Sequence, residues 1–249
     1  MDFNKAKEVF DNYVSLYDEK NEKIKLKYRH TLKVVELMEE LATNMGKTEE
    51  EIKLAKIIGL LHDIGRFEQV KQTNTFSDKK WDHAEKGCKY LFDEGHIRDF
   101  IEDNKYDKVI EVAVRYHNKL ELPELNDRTE IFYAQLIRDA DKIDIYRVLG
   151  TGKELFFDIG EVSEKVIKSF TEEKPISRED VKTKSDAILL TLAFIFDMNY
   201  QESFKLLEDT DNFYLYISNI DMEEKSELLW EKIKEHCYDK LKRGVTELC

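Results

Sequence analysis

An all-α fold, a helical bundle with a further helical region at its C-terminal end, follows from three features of the sequence. Its 249 residues include only two prolines and nine glycines, too few for the closely spaced turns of β-sandwiches and barrels. Apolar side chains return every three or four residues in segment after segment. Capping residues stand where these segments begin, and glycines where they stop.

The first clear helix covers residues 24–45, where Leu26, His30, Val34, Leu37, Leu41 and Met45 share a face and Gly46 ends it. In "TEEEIKLAKIIGLLHD" Thr48 and Glu51 form a capping-box pair ahead of an apolar run. His62 and Asp63 close that helix, and Gly65 is expected to terminate it. Residues 68–81 have no apolar period and are expected to form a long polar loop bordering the site. Lys71, Gln72, Thr73, Asn74 and Thr75 are its candidate donors.

Asp82 can cap a third helix, "HAEKGCKYLFDEG", which Gly95 ends. "KVIEVAVRYHNK" makes a fourth, with His117 at its end, and "RTEIFYAQLIRDADKIDIYRVLG" a fifth over 129–149. Gly150 and Gly152 mark a seam. It divides the chain into a metal-binding helical domain, 1–150, and a C-terminal helical extension, 151–249, expected to pack as one body. Phe156, Phe157, Phe194 and Phe196 read as core residues, and His96 and His236 as surface ones.

With 40 basic against 53 acidic residues the net charge is −13, which disfavours a nucleic-acid polymer but not a small phosphorylated ligand in a local basic pocket. Cys88, Cys237 and Cys249 form no CxxC pair, as expected of a reducing compartment. The start, "MDFNKAKEVF", has no signal-peptide apolar region, and the longest apolar run, "AILLTLAFIF" at 187–196, is half the roughly 20 residues of a membrane span. A cytoplasmic protein with no membrane partner is expected.

His30, His62, His83 and His117 fall on four separate helices, His30 on an otherwise apolar stripe and His62 at the end of one. Imidazole and carboxylate together suit first-row divalent metals, and helices of a bundle can project them to one point. Neighbours such as His62 and Asp63 lie about 100° apart around a helix and converge only near its end, which is where they stand. In "RDADKID" the period does not choose an acid. Asp141 shares a face with Ala134, Ile137, Ile145 and Val148, while Asp139 shares another with Phe132, Leu136, Ile143 and Tyr146.

The segments "YRHTLKVVELMEELA", "IIGLLHDIGRF" and "LIRDADKIDI", in this order and spacing, resemble the HD-domain superfamily of metal-dependent phosphohydrolases over residues 24–150. "DHAEKGCKYLF" and "VAVRYHNK" extend the resemblance to the branch that binds two metals. It implies that His30, His62, Asp63 and Asp141 hold one ion. Asp63 would bridge to a second, held by His83 and His117, with iron, manganese, nickel or zinc as candidate metals. It further implies cleavage of a phosphoester or phosphoanhydride in a small, nucleotide-like substrate by a metal-activated hydroxide.

Arg66, one turn past His62, is then the first candidate to meet phosphoryl oxygens, with Lys142 and Lys119 behind it. The nucleoside-monophosphatase branch carries an acid in place of Arg66, and the Gly-Tyr-Pro signature of the cyclic-di-GMP branch is absent. The rival expectations are a mixed-valent di-iron oxygenase on the same ligand set and a metal-retaining regulatory module without turnover. The sequence does not set the oligomeric state.

Overall fold

Helices α2 (Glu22–Asn44) and α3 (Glu49–Leu61) frame the first half of the chain in the computed structural model, which describes residues 1–151, 155–222 and 224–246. Gly152 of the expected seam and Cys249 lie outside the described residues. Ile24, Val34, Leu37, Met38, Leu41 and Ala42 bury one face of α2, and Leu54, Ala55, Ile57, Ile58, Leu60 and Leu61 that of α3. Each of the Val, Leu, Ile and Met side chains among them contributes about 1.5–3 kcal/mol. Gly59 permits the close pairing, since a β-carbon there would sit 3.1 Å from Val35 Cα. The capping box of Thr48 and Glu51 is formed as the sequence predicts.

α3 stops at His62, and Asp63 leaves the helix (φ −105°, ψ 16°) before α4 (Ile64–Thr73) begins at once. Two expectations are corrected here. Gly65 does not end a helix but lies in the first turn of α4. The supposed loop from residue 68 is helical to Thr73, where Asn74 closes it in the left-handed conformation (φ 49°). Ile64, Phe67 and Val70 are all buried at a spacing of three, and a loop beginning at 68 cuts that pattern in two. Lys71 and Gln72 therefore stand on a helix, where Glu68 takes a 2.6 Å hydrogen bond from Gln72 and lies 3.6 Å from Lys71 Nζ.

Around this frame lie α1 (Phe3–Val14), α5 (His83–Cys88), α6 (Ile97–Phe100) and α7 (Asp107–Tyr116). Asp82 caps α5 by accepting from Ala84 N and Glu85 N, and α5 widens into a π turn at Lys89–Asp93. α8 (Arg128–Gly150) follows. The chain divides into two compact units, Met1–Ala140 and the part from Asp141 onward, so the division falls inside α8.

Among its described residues the second unit carries one short parallel strand pair, β1 (Leu155–Phe157) beside β2 (Ile220–Met222), and is otherwise built of helices and their connections. Its other helices are α9 (Glu164–Thr171), α10 (Lys184–Leu192), α11 (Gln201–Asp209), α12 (Asn212–Ser218) and α13 (Glu227–Thr246). Three-residue strands are too short for alternation to show in a sequence. They also explain why Phe156 is not core: successive strand side chains face opposite ways, so Phe157 is buried against Trp230 (5.1 Å between rings) while Phe156 is 50% exposed. Phe194 and Phe196 are half-buried. So is His236, which packs beside Phe170 and Phe196 rather than standing free on the surface. His96 is partly exposed and stacks on Tyr90. Among the described residues, no helix is long and apolar enough to cross a membrane.

Candidate metal centre

The break between α3 and α4 aims Asp63 inward. Its carboxylate is 2% exposed and has a different set of neighbours at each oxygen. Oδ2 lies 3.6 Å from His30 Nε2 and 3.6 Å from His62 Nε2. Oδ1 lies 3.0 Å from His83 Nε2 and 3.6 Å from His117 Nε2. The four histidines, brought from α2, the end of α3, the start of α5 and the end of α7, are all buried.

Three of these rings are fixed by their other nitrogen. His62 Nδ1 donates to Gly59 O and His117 Nδ1 to Val114 O, each at 2.7 Å. His83 Nδ1 donates to the Asp78 carboxylate, also at 2.7 Å. Carbonyl and carboxylate oxygens only accept, so in the neutral imidazoles the proton sits on Nδ1 and Nε2 presents a lone pair. His83 and His117 then face one another with Nε2 atoms 2.9 Å apart, beside Asp63 Oδ1.

Three acceptors converge with no hydrogen between them, an arrangement that a cation relieves. Protonating His83 would also relieve it, but burial, with Arg66 nearby, lowers the pKa of that ring against the pull of Asp63 and Asp78. Asp63 is itself ionised. Burial opposes its charge, but the Lys27 ammonium beside it holds its carboxyl well below the usual carboxylate range.

Asp63, His83 and His117 form one group whose ligand atoms lie within 4.8 Å of one another, and His30, His62 and Asp141 form another. Asp141 follows Ala140 directly on the unbroken helix α8. Of the acids near it, Asp139 and Asp144 are buried, and Asp144 pairs with Arg147 at 2.6 Å. The donor set of neutral imidazoles and carboxylates suits a first-row divalent metal.

The cations named from the sequence are each engaged. Arg66 is 6% exposed. Its Nη1 donates to Gln69 Oε1 (2.7 Å), Phe76 O (2.8 Å) and Asp78 Oδ1 (2.8 Å), and Nη2 to Asp78 Oδ2 (3.3 Å). Its Nε lies 3.4 Å from Asp63 Oδ1. Lys119 pairs with Asp82 and lies 3.4 Å from Glu85. Lys142 lies 2.6 Å from Asp197 Oδ2.

Two residues at the site were missed in the sequence. Lys27 Nζ donates to Asp63 Oδ2 at 2.7 Å and stands 5.4 Å from the centre of the Phe76 ring. Lys27 is three positions before His30 on α2, so helical spacing alone could have placed it beside that histidine. Asp78, which carries His83, lies in a polar stretch with no periodic signal. Of the 68–81 segment, Phe76 O and Asp78 reach Arg66, and Asp78 also reaches His83.

A helical domain is thereby defined in which imidazoles and carboxylates meet in two groups that could hold a metal ion. Residues 28–146 match the family model of the HD domain. Comparison with curated proteins and with solved structures found no match.

Proposed function

We propose that the chain is a phosphohydrolase that cleaves a phosphoester or phosphoanhydride of a small, nucleotide-like molecule, using two divalent ions. The observation that carries this reading is the division of Asp63, with Oδ2 toward His30 and His62 and Oδ1 toward His83 and His117. A carboxylate so placed would serve both ligand sets of a two-ion site. His30, His62 and Asp141 complete one ligand set, and His83 with His117 the other.

Divalent ions at such a site polarise phosphoryl oxygens and lower the pKa of a bound water toward neutrality. The protein's own part is positional and electrostatic. Gly59 O, Val114 O and Asp78 hold three rings with Nε2 turned inward, which fixes the direction of each lone pair. Arg66 braces Asp78 and brings a positive charge to within 3.4 Å of Asp63. Lys27 adds a second positive charge at the same carboxylate, favourable to an anionic substrate.

The test is a panel of nucleotides and simple phosphoesters, with Mn²⁺ or Fe²⁺, that follows phosphate release and oxygen uptake together. Metal-dependent phosphate release that disappears in Asp63→Ala is the expected result. Oxygen uptake without phosphate release would assign the site to di-iron oxygenase chemistry. Metal binding with neither would make it a regulatory module.

A further inference from the structure

We infer that Lys27 and a divalent cation compete for one oxygen, Asp63 Oδ2, and that Lys27, once displaced, anchors a phosphate in the loaded site. The second half rests on the phosphohydrolase reading; the first does not.

Three groups face Asp63 Oδ2: Lys27 Nζ at 2.7 Å, and the Nε2 atoms of His30 and His62 at 3.6 Å each. Any cation taken up by those imidazoles with Asp63 must therefore approach the oxygen that already accepts from an ammonium. Both charges are positive, and Asp63 is 2% exposed, so little water is available to screen them. An ion bound there weakens the hold of Lys27, and Lys27 in turn weakens the hold of the ion.

Lys27 can yield without any movement of α2. Its charge ends a flexible four-carbon stem, its side chain is 15% exposed, and the Phe76 ring lies 5.4 Å from Nζ. The terminal nitrogens of Arg66 and Lys119, the cations of this unit named from the sequence, are held by other partners. Arg66 has both terminal nitrogens on Asp78, Gln69 and Phe76 O, and Lys119 is paired with Asp82. Moving Arg66 would also release the brace on His83. Lys27 hydrogen-bonds a candidate metal ligand through its terminal ammonium and has no second acid holding it in place among the ion pairs of the described residues, so the step that loads the site also frees the charge that an incoming phosphate requires.

The experiment uses the full chain and two probes, Mn²⁺ alone and inorganic phosphate, on wild type, Lys27→Met, Lys27→Gln and Lys27→Arg. Mn²⁺ titration followed by electron paramagnetic resonance should show about tenfold tighter binding in Lys27→Met and Lys27→Gln, and near wild-type binding in Lys27→Arg. With Mn²⁺ saturating, phosphate should bind about tenfold more weakly to the Met and Gln variants, and Lys27→Arg should recover it. A loss of packing alone would weaken Mn²⁺ binding rather than strengthen it, so the direction of the first result separates competition from damage.

Equal Mn²⁺ affinity in all four proteins, or weaker affinity in both neutral variants, overturns the competition. Equal phosphate affinity in all four overturns the anchor. If Mn²⁺-loaded wild type binds no phosphate, the hydrolase reading and the anchor fall together, and the Mn²⁺ titration still decides the competition.

Discussion

His83 and His117 meet nitrogen to nitrogen, their Nε2 atoms 2.9 Å apart, while the Nδ1 of each is committed to Asp78 and to Val114 O. In their neutral forms the facing atoms are both acceptors, and Asp63 Oδ1 adds a third at 3.0 Å from His83. With both rings neutral this contact is repulsive, and a cation placed there converts it into an attractive one. Chelator-treated protein should be less stable than protein given Mn²⁺ or Zn²⁺. An ion at one hundred times its dissociation constant stabilises by about 2.7 kcal/mol. Thermal unfolding with and without metal checks this, and His117→Phe should shrink the metal-induced rise in Tm. A Tm indifferent to metal would count against the site.

Arg66 invites a prediction that differs from the one its sequence position suggests. A cation aimed only at substrate could be removed without affecting metal content. In the structure, however, both terminal nitrogens of Arg66 reach Asp78, and Asp78 accepts from His83. Loss of a partner that orients a metal ligand typically costs about 10–100-fold in metal affinity. Arg66→Ala and Asp78→Asn should therefore both weaken metal binding within that range. Their double variant should be little worse than either alone, because the two act in series. Retention of wild-type metal affinity in Arg66→Ala would return Arg66 to a role at the substrate.

The histidine constellation was legible in the sequence because His30, His62, His83 and His117 lie at helix positions that periodicity fixes within a residue or two. The helices carrying them were legible for the same reason, as were the caps at Thr48 and Asp82. Features set by contact between distant segments were not. Asp78 gains its importance from His83 and Arg66, and nothing local distinguishes it from the other acids of a polar stretch. Helix α4 escaped notice because its buried apolar side chains are just Ile64, Phe67 and Val70, interleaved with the buried polar Arg66 and Gln69, and because Gly65 reads locally as a stop. Phe156 read as core because a three-residue strand leaves no alternation for a pattern to reveal. For Asp141 the helical period allowed Asp139 equally well, and the family pattern, not the phase, separated them.

The role of Gly65 supplies the last prediction. A β-carbon at this position would stand 2.1 Å from His83 O and 2.8 Å from Gly87 N. Both are backbone atoms, so no side-chain rotation can make room; α4 and α5 would have to separate, and His83 with them. Overpacking of this kind costs about 1–3 kcal/mol. Because the strain falls on the helix that carries His83, Gly65→Ala should lower metal affinity as well as the urea midpoint. Gly46→Ala is the matched control: Gly46 has a left-handed φ of 67° but nothing within 4 Å of its added β-carbon. The control should lose stability of about 1–2 kcal/mol from backbone strain alone and keep its metal affinity. Measuring the urea midpoint and Mn²⁺ binding on both variants separates the two effects. A Gly65→Ala protein that lost stability but bound Mn²⁺ like wild type would show that His83 tolerates a shift of α5, and the close approach of α4 to α5 would then serve packing alone.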